Sequence, residues 1–322
     1  MDLTSNADLN KPNPQHDKTS YVGRFAPSPS GKLHFGSLVA ALASYLDARA
    51  HKGQWLVRME DLDPPREEAG AADSILASLE AHHLFWDKDI LYQSQRLDAY
   101  QAALDELGSH YPCNCTRHRI MQLGGRYDSH CRRSPPPIEA TCATRLKVDQ
   151  LPLSEQVIAE EFDDLFLGHQ QFPLSAVGDM IVKRKDGLFA YQLAVAVDDR
   201  HQNITHVIRG HDLIDSSNRQ RYILLLMNHV SQNIKELPLY GHVPLALGSD
   251  GDKLSKQTQA PALDNSKAAN NLVIALQFLN HAPPPELRDS DNCASILEWA
   301  SLKWQRNKLP TQSMLAPPLT DE

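Results

Sequence analysis

Arg24 to Ser37 reads RFAPSPSGKLHFGS, a loop set between a short strand, Tyr21–Phe25, and a helix over Gly36–Lys52. Pro27, Pro29 and Gly31 hold that loop to a tight path, so the helix aims its free N–H groups outward, ready for an anion. His34 at its mouth can donate a hydrogen bond to a phosphate as charge grows there. Gly36 allows a ligand close to the backbone. Some two hundred residues later, Gly248 to Lys256 reads as a flexible loop with Gly251 and Asp252 in a turn, running into Lys253-Leu254-Ser255-Lys256-Gln257. Two ammoniums there can close over β- and γ-phosphates and stabilise departing pyrophosphate. Each segment alone is a common surface pattern. Together, in this order, they point to ATP attacked at its α-phosphate.

The periodicity around them predicts an α/β fold. Leu38, Val39, Leu42, Tyr45 and Leu46 recur at helical spacing, Trp55–Met59 is a second strand, and Ile75, Leu76 and Leu79 mark a second amphipathic helix. Strand, helix, strand, helix argues for a parallel sheet covered by helices. Met180–Val182, Leu188–Val197 and Ile204–Ile208 are β-rich and read as the same sheet resuming, with a helix from about Ser216 to Val230. Residues 108–178 are rich in Cys, Pro and Arg, without a long periodic segment, and read as an inserted domain. The division expected is a disordered lead, 1–19; a first half, 20–107; the insert, 108–178; a second half, 179–259; and a helical segment, 260–322. That last part has helices near Leu272–Leu279 and Ile296–Trp304 on either side of Pro283-Pro284-Pro285.

Composition sets limits. The 322 residues suffice for two or three domains. With 41% hydrophobic residues and no long apolar run, no membrane span is expected, and residues 1–19 lack the apolar core of a signal peptide. Net charge is −8, so any nucleic-acid contact must be local. Candidate clusters are Arg117-His118-Arg119, Arg132-Arg133, Lys183-Arg184-Lys185 and Arg219/Arg221. Three of five cysteines fall within residues 113–131, a pattern for a reducing cytoplasm and a metal rather than disulfides. Cys113 and Cys115 can bring two thiolates to one ion and Cys131 a third; His118, His130, Tyr127 and Cys142 compete as the fourth ligand. Glu160-Glu161 and Asp163-Asp164 read as a solvated face, and Asp198-Asp199 as a turn.

The two motifs resemble the H-x-G-H and K-M-S-K-S signatures of class I aminoacyl-tRNA synthetases. With Arg58-Met59-Glu60-Asp61-Leu62-Asp63 they resemble the glutamyl branch, from about Tyr21 to about Gln259. Ser37 stands where the class often has histidine, Leu254 where it has methionine and Gln257 where it has serine. The resemblance implies a Rossmann-like catalytic domain with an inserted zinc-bearing domain. It implies ATP with Mg²⁺ bound by Pro27, His34, Gly36, Ser37, Lys253, Ser255 and Lys256, of which His34 and Lys256 are catalytic. L-Glutamate falls to Arg24, Ser28, Glu60, Tyr191 and Arg209: two arginines for its carboxylates, Glu60 for its ammonium and the Tyr191 hydroxyl, on the Leu188–Val197 strand, for side-chain selection. One structural Zn²⁺ is implied on Cys113, Cys115, Tyr127 and Cys131.

Only about sixty residues follow Gln259, too few for the large anticodon-reading domain of the branch. A shortened relative is therefore expected, monomeric and cytoplasmic, and the resemblance implies that it passes glutamate to queuosine in the anticodon of tRNA(Asp). The rival readings are a shortened enzyme charging an ordinary tRNA 3′ end, a nucleotidyltransferase with a small acceptor, and a silent zinc-bearing RNA-binding module.

Overall fold

The computed structural model describes residues 20–248, 251–254 and 260–317. The expected lead, 1–19, and Ser255 and Lys256 of the second motif lie outside the described residues. β1 (Val22–Phe25), α1 (Phe35–Ala50) and β2 (Gln54–Met59) form a β-α-β unit with parallel strands. α2 (Ala71–Ala81) then leads to β3 (Leu91–Tyr92), parallel to β2. After α3 (Leu97–Leu107) the chain leaves this sheet. It makes β4 (His110–Cys113), α4 (Arg117–Gln122), α5 (His130–Arg133), β5 (Ala143–Leu146), α6 (Leu153–Glu160), β6 (Glu161–Asp164), β7 (Gly168–Gln171) and β8 (Met180–Lys183). It returns through α7 (Tyr191–His201), β9 (His206–Gly210), α8 (Ser217–Ser231) and β10 (Leu239–Val243), with β10 parallel to β9. Short strands at Ala246–Leu247 and Met314–Leu315 pair beyond it, and the last helices are α9 (Ala268–Phe278), α10 (Pro285–Arg288) and α11 (Cys293–Lys303).

The two halves meet at β1 and β9. Thr205 N–H donates to Val22 O at 2.9 Å, and Val22 N–H donates to the Thr205 hydroxyl at 2.8 Å. Strand order thus runs β3-β2-β1 on one side and β9-β10 on the other, and the direction of winding reverses between β1 and β9. Open parallel sheets hold ligands at such a reversal, beyond the carboxyl ends of the strands. α1 is buried nearly all round because it is sandwiched: Leu38, Leu42 and Leu46 join one apolar cluster with Trp55 and Val57 of β2, Leu272 and Leu276 of α9, and Ile296 of α11.

Two expected strands are corrected. Met180–Lys183 is a strand, but it pairs antiparallel with β5, which pairs antiparallel with β4 in a separate sheet. Met180 and Val182 are buried and Ile181 is exposed, the alternation of a one-sided antiparallel strand, whereas β1 is buried throughout. Leu188–Val197 is not a strand: Tyr191 begins α7, and Leu193 to Val197 are all buried in that helix. A short run buried on every side carries no periodicity with which to tell strand from helix. Among the described residues no helix is long and apolar enough to cross a membrane.

Candidate active site

The first motif forms the turn that leads from β1 to α1. Pro27 O accepts from Glu60 N–H and Pro29 O from Glu68 N–H, each at 2.9 Å, which ties the loop to the end of β2. Gly31 has φ 134°, a conformation that favours glycine. His34 is the N-cap of α1, and its Nδ1 accepts from Ser37 N–H at 3.3 Å. That bond leaves Nε2 as the protonated nitrogen, the donor that a phosphate oxygen requires. A Cβ on Gly36 would stand 3.2–3.3 Å from the imidazole, so the glycine also gives His34 room. These residues line a cleft of about 800 Å³ with Pro27, Ser28, Ser37, Arg24, Glu60, Tyr191, Arg209 and Lys253. Lys253 Nζ is paired with Asp212 at its rim. A separate cavity of about 530 Å³ lies by Thr205, His206 and Pro238, at the opposite ends of β9 and β10, and holds none of the motif residues.

The floor of the cleft is built of buried charge. Arg24, 3% exposed, donates from Nε to Asp199 Oδ1 at 3.3 Å. Arg58, wholly buried, donates from Nη2 to the same oxygen at 2.6 Å, and its Nε lies 3.8 Å from Glu60 Oε1. Burial pushes the Glu60 carboxyl up to about 7, against the pull of Arg58 and Arg24. For Asp199 burial acts the same way, but the two guanidiniums outweigh it and hold its pKa below the ordinary value. Asp198-Asp199, expected as a turn, is therefore buried structure on α7. Asp198 accepts from Gln93 at 2.8 Å, Arg96 at 2.6 Å and Tyr100 at 2.7 Å. The signal available was spacing: Tyr191 and Asp198-Asp199 lie seven and eight residues apart, two helical turns.

Arg209, at the end of β9, is 5% exposed and makes five hydrogen bonds. Nε donates to His242 Nε2 at 3.0 Å; Nη1 to Gln220 Oε1 at 2.8 Å and to the Tyr191 hydroxyl at 3.5 Å; Nη2 to Leu213 O at 3.0 Å and Ser217 Oγ at 2.8 Å. All five partners are neutral groups, and no carboxylate pairs with Arg209 among the described residues. His242 must accept there, so its proton sits on Nδ1, donated to Asp164 Oδ2 at 2.6 Å. Burial, opposed by Asp164, brings the His242 imidazole down to about 4, so it is neutral. Asp164 ends β6 fully enclosed, which corrects the expected solvated face at that residue, while Asp163 beside it is exposed. Nothing in the local sequence marked His242 as the group behind Arg209.

Within the stretch from β4 to β8, the sulfurs of Cys113, Cys115 and Cys131 lie within 4.8 Å of one another, and Cys115 and Cys131 are 3.4 Å apart. The Tyr127 hydroxyl is 3.6 Å from Cys113 Sγ and accepts from Cys131 N–H at 2.9 Å. His118 bonds Gln122 at the surface, His130 is exposed, and Cys142 is outside the cluster. Arg145 lies over the Tyr127 ring, 3.7 Å from its centroid, and donates to Cys113 Sγ at 3.2 Å. Burial would raise the Cys113 thiol, but Arg145 and Tyr127 bring it down to about 7; burial and Cys131 push Cys115 up to about 12. Three sulfurs, a phenol and a guanidinium behind them fit a closed thiophilic metal site.

The chain is similar to known proteins over most of its length. The family described as tRNA synthetases class I (E and Q), catalytic domain, matches residues 21–276. The chain is 50% identical over 300 residues to the glutamyl-Q tRNA(Asp) synthetase of Serratia proteamaculans (strain 568), covering 92% of this chain and 94% of that one. It is 48% identical over 295 residues to the protein of the same name in Vibrio vulnificus (strain CMCP6), covering 90% and 92%. Among solved structures it is similar to a glutamate tRNA ligase from Elizabethkingia meningosepticum in complex with its amino acid. The TM-score is 0.71 at 21% identity, covering 92% of this chain and 67% of that one, a likeness of fold. With its reversed parallel sheet, its capped first loop and this match over most of its length, the chain belongs to the class I tRNA synthetases of the E and Q type.

Proposed function

We propose that the chain activates L-glutamate with ATP and passes the glutamyl group to queuosine in the anticodon of tRNA(Asp), a reading supported by relatives at 45–50% identity that carry the name glutamyl-Q tRNA(Asp) synthetase. The observation that carries the amino-acid part is the charge of the cleft floor. Arg24 and Arg58 share Asp199 with Glu60 beside them, whereas Arg209 has no carboxylate in contact among the described residues. Glutamate, with two carboxylates and one ammonium, supplies one negative. Arg209, ringed by neutral dipoles, lacks only an anion, and its long bond to Tyr191 is the contact that yields to one.

In the first step a glutamate α-carboxylate oxygen bonds to the α-phosphorus, and the bond to the β-phosphate oxygen breaks, releasing pyrophosphate with its Mg²⁺. His34 Nε2–H stabilises the phosphorane, and Lys253 with Lys256 hold the departing phosphates. In the second step a hydroxyl oxygen of the acceptor bonds to the acyl carbon. AMP leaves with the broken acyl–phosphate bond, and the hydroxyl proton ends in solvent. Catalysis is the positioning of two anions, without an enzyme nucleophile. ATP occupies the wall of Pro27, His34, Gly36 and Ser37; Arg24, Ser28, Glu60, Tyr191 and Arg209 take the amino acid. Cys113, Cys115, Cys131 and Tyr127 would hold a zinc ion, which would cross-link the inserted region, 108–178, that divides the catalytic halves, 20–107 and 179–259. The work is cytoplasmic, where tRNA is.

The test is transfer of labelled glutamate to three substrates: tRNA(Asp) with queuosine, tRNA(Asp) without it, and queuosine-bearing tRNA stripped of its 3′ diol. Nuclease mapping then locates the label. Label in the anticodon of the first and third supports the reading; label at the 3′ end of the second overturns it.

A further inference from the structure

Beside the amino-acid site lies a second chamber of about 310 Å³. It shares Ser28, Glu60 and Tyr191 with the main cleft, so a group seated in it faces the bound amino acid across those side chains. The main cleft also holds His34 and Lys253, the phosphate-binding groups; the second chamber holds neither. Its size, at the low end for ligand sites, suits a substituted ring rather than a triphosphate. The outer wall comes from the turn after β2 and from the hairpin after β8. Asp63 in that turn is bridged by Arg66 and, at 2.9 Å, by Arg184, whose other arm is taken by Asp186 at 2.6 Å. Both guanidiniums of the wall are thus already matched by carboxylates. Glu67 is not: it has no ion-pair partner among the described residues. A slight loss of solvent at this exposed carboxyl, then the charges of Asp61 and Asp63, raise its pKa, and with Glu60 it leaves the wall net negative. Such a wall repels phosphate and attracts a cation.

Under the proposed function, on which this inference rests, the acceptor is queuosine. It joins its cyclopentene diol to the base through a secondary amine, which is protonated at neutral pH. A terminal ribose offers the diol without the amine. We propose that the second chamber is the acceptor subsite and that Glu67 selects an acceptor by the protonated secondary amine beside its diol. Glu60, on the shared wall, is engaged by the ammonium of glutamate, so the two cations of the transfer complex have separate carboxylates. Selection between two diols of like chemistry then comes from one charge placed outside the reacting atoms.

The experiment uses the full chain and measures transfer from preformed glutamyl-adenylate to tRNA(Asp) with queuosine, in the series Glu67→Gln, Glu67→Lys and Glu67→Asp. Glu67 is exposed, so the variants should fold, and thermal melting checks that they do. The KM for queuosine-bearing tRNA should rise about ten-fold in Glu67→Gln and further in Glu67→Lys, and return toward the parent value in Glu67→Asp. The rate at saturating tRNA should change little, and added salt should flatten the series. Equal KM values across the series, or a fall in saturating rate alone, overturn the proposal while the parent's labelling of queuosine leaves the functional reading intact. A parent enzyme that labels only the 3′ end overturns the functional reading instead.

Discussion

Arg209 is held from behind, and that makes its support testable apart from its charge. Asp164 Oδ1 accepts three backbone N–H groups, from Phe166, Leu167 and His242. In Asp164→Asn that position must stay oxygen, so the new amide NH₂ faces His242 Nδ1. The imidazole proton then moves to Nε2, where it meets the Arg209 N–H head-on. Asp164→Asn should therefore raise the KM for glutamate by about ten-fold or more, at unchanged KM for ATP. His242→Gln, whose carbonyl can still accept from Arg209, should recover part of the loss; a wild-type glutamate KM in Asp164→Asn would remove the relay. Glu60 gives a second prediction. Its carboxyl titrates at about 7 in the empty site, so below that pH it is protonated and cannot pair the substrate ammonium. The KM for glutamate should climb toward ten-fold per pH unit below about 7, and Glu60→Gln should abolish the slope. Arg24, Glu60 and Arg209 could be found from sequence because their motif marks them. Asp164 and His242 meet across 78 residues and Arg24 and Asp199 across 175, pairings that no local pattern reports.

At the scale of elements, local burial decided what could be read. β1, α1 and β2 were legible because each borders a marked residue: the Pro-rich loop follows β1, His34 caps α1 and Glu60 follows β2. α7 was not, since Leu193–Val197 is apolar on every side and only its packing between α3 and α8 makes it helical. The stretch from β4 to β8 is legible chiefly through its cysteines. Its small cluster there contains little beyond Tyr111, Cys113, Tyr127 and Cys131, so a metal bound there would supply cohesion that the side chains do not. Elemental analysis of protein purified without chelators should give about one zinc per chain. Cys115→Ser should lose the metal and lower the melting temperature, with protease cleavage appearing between residues 113 and 147 first. Full zinc content in Cys115→Ser would take that residue out of the site.

The whole molecule is closed by one buried carboxylate. Asp47 on α1 accepts from the Tyr21 hydroxyl at 2.7 Å, Trp304 Nε1 at 2.9 Å and both Nε and Nη2 of Arg306 at 2.8 Å, which binds the C-terminal helices to the first half. Burial pushes its pKa up, but Arg306 and Tyr21 outweigh that and hold it below the ordinary value. The pair's contribution is therefore present at neutral pH and lost only as pH falls through the lowered pKa. Arg306→Ala leaves the charge enclosed and should cost about 2–3 kcal/mol in urea unfolding, at the lower end for a broken buried pair because Arg306 is 24% exposed. An unchanged midpoint would show that α11 is held by packing alone. The pairing of β1 with β9 carries a further consequence, one of timing. Arg24 meets Asp199 across 175 residues of sequence. At synthesis rates of roughly 5–20 residues per second, the open edge of β1 leaves the ribosome about ten to thirty-five seconds before its partner exists. For that interval the nascent chain carries β1 with one edge open and two arginines, Arg24 and Arg58, lacking their counter-charge, the kind of exposed edge through which a chain misassembles.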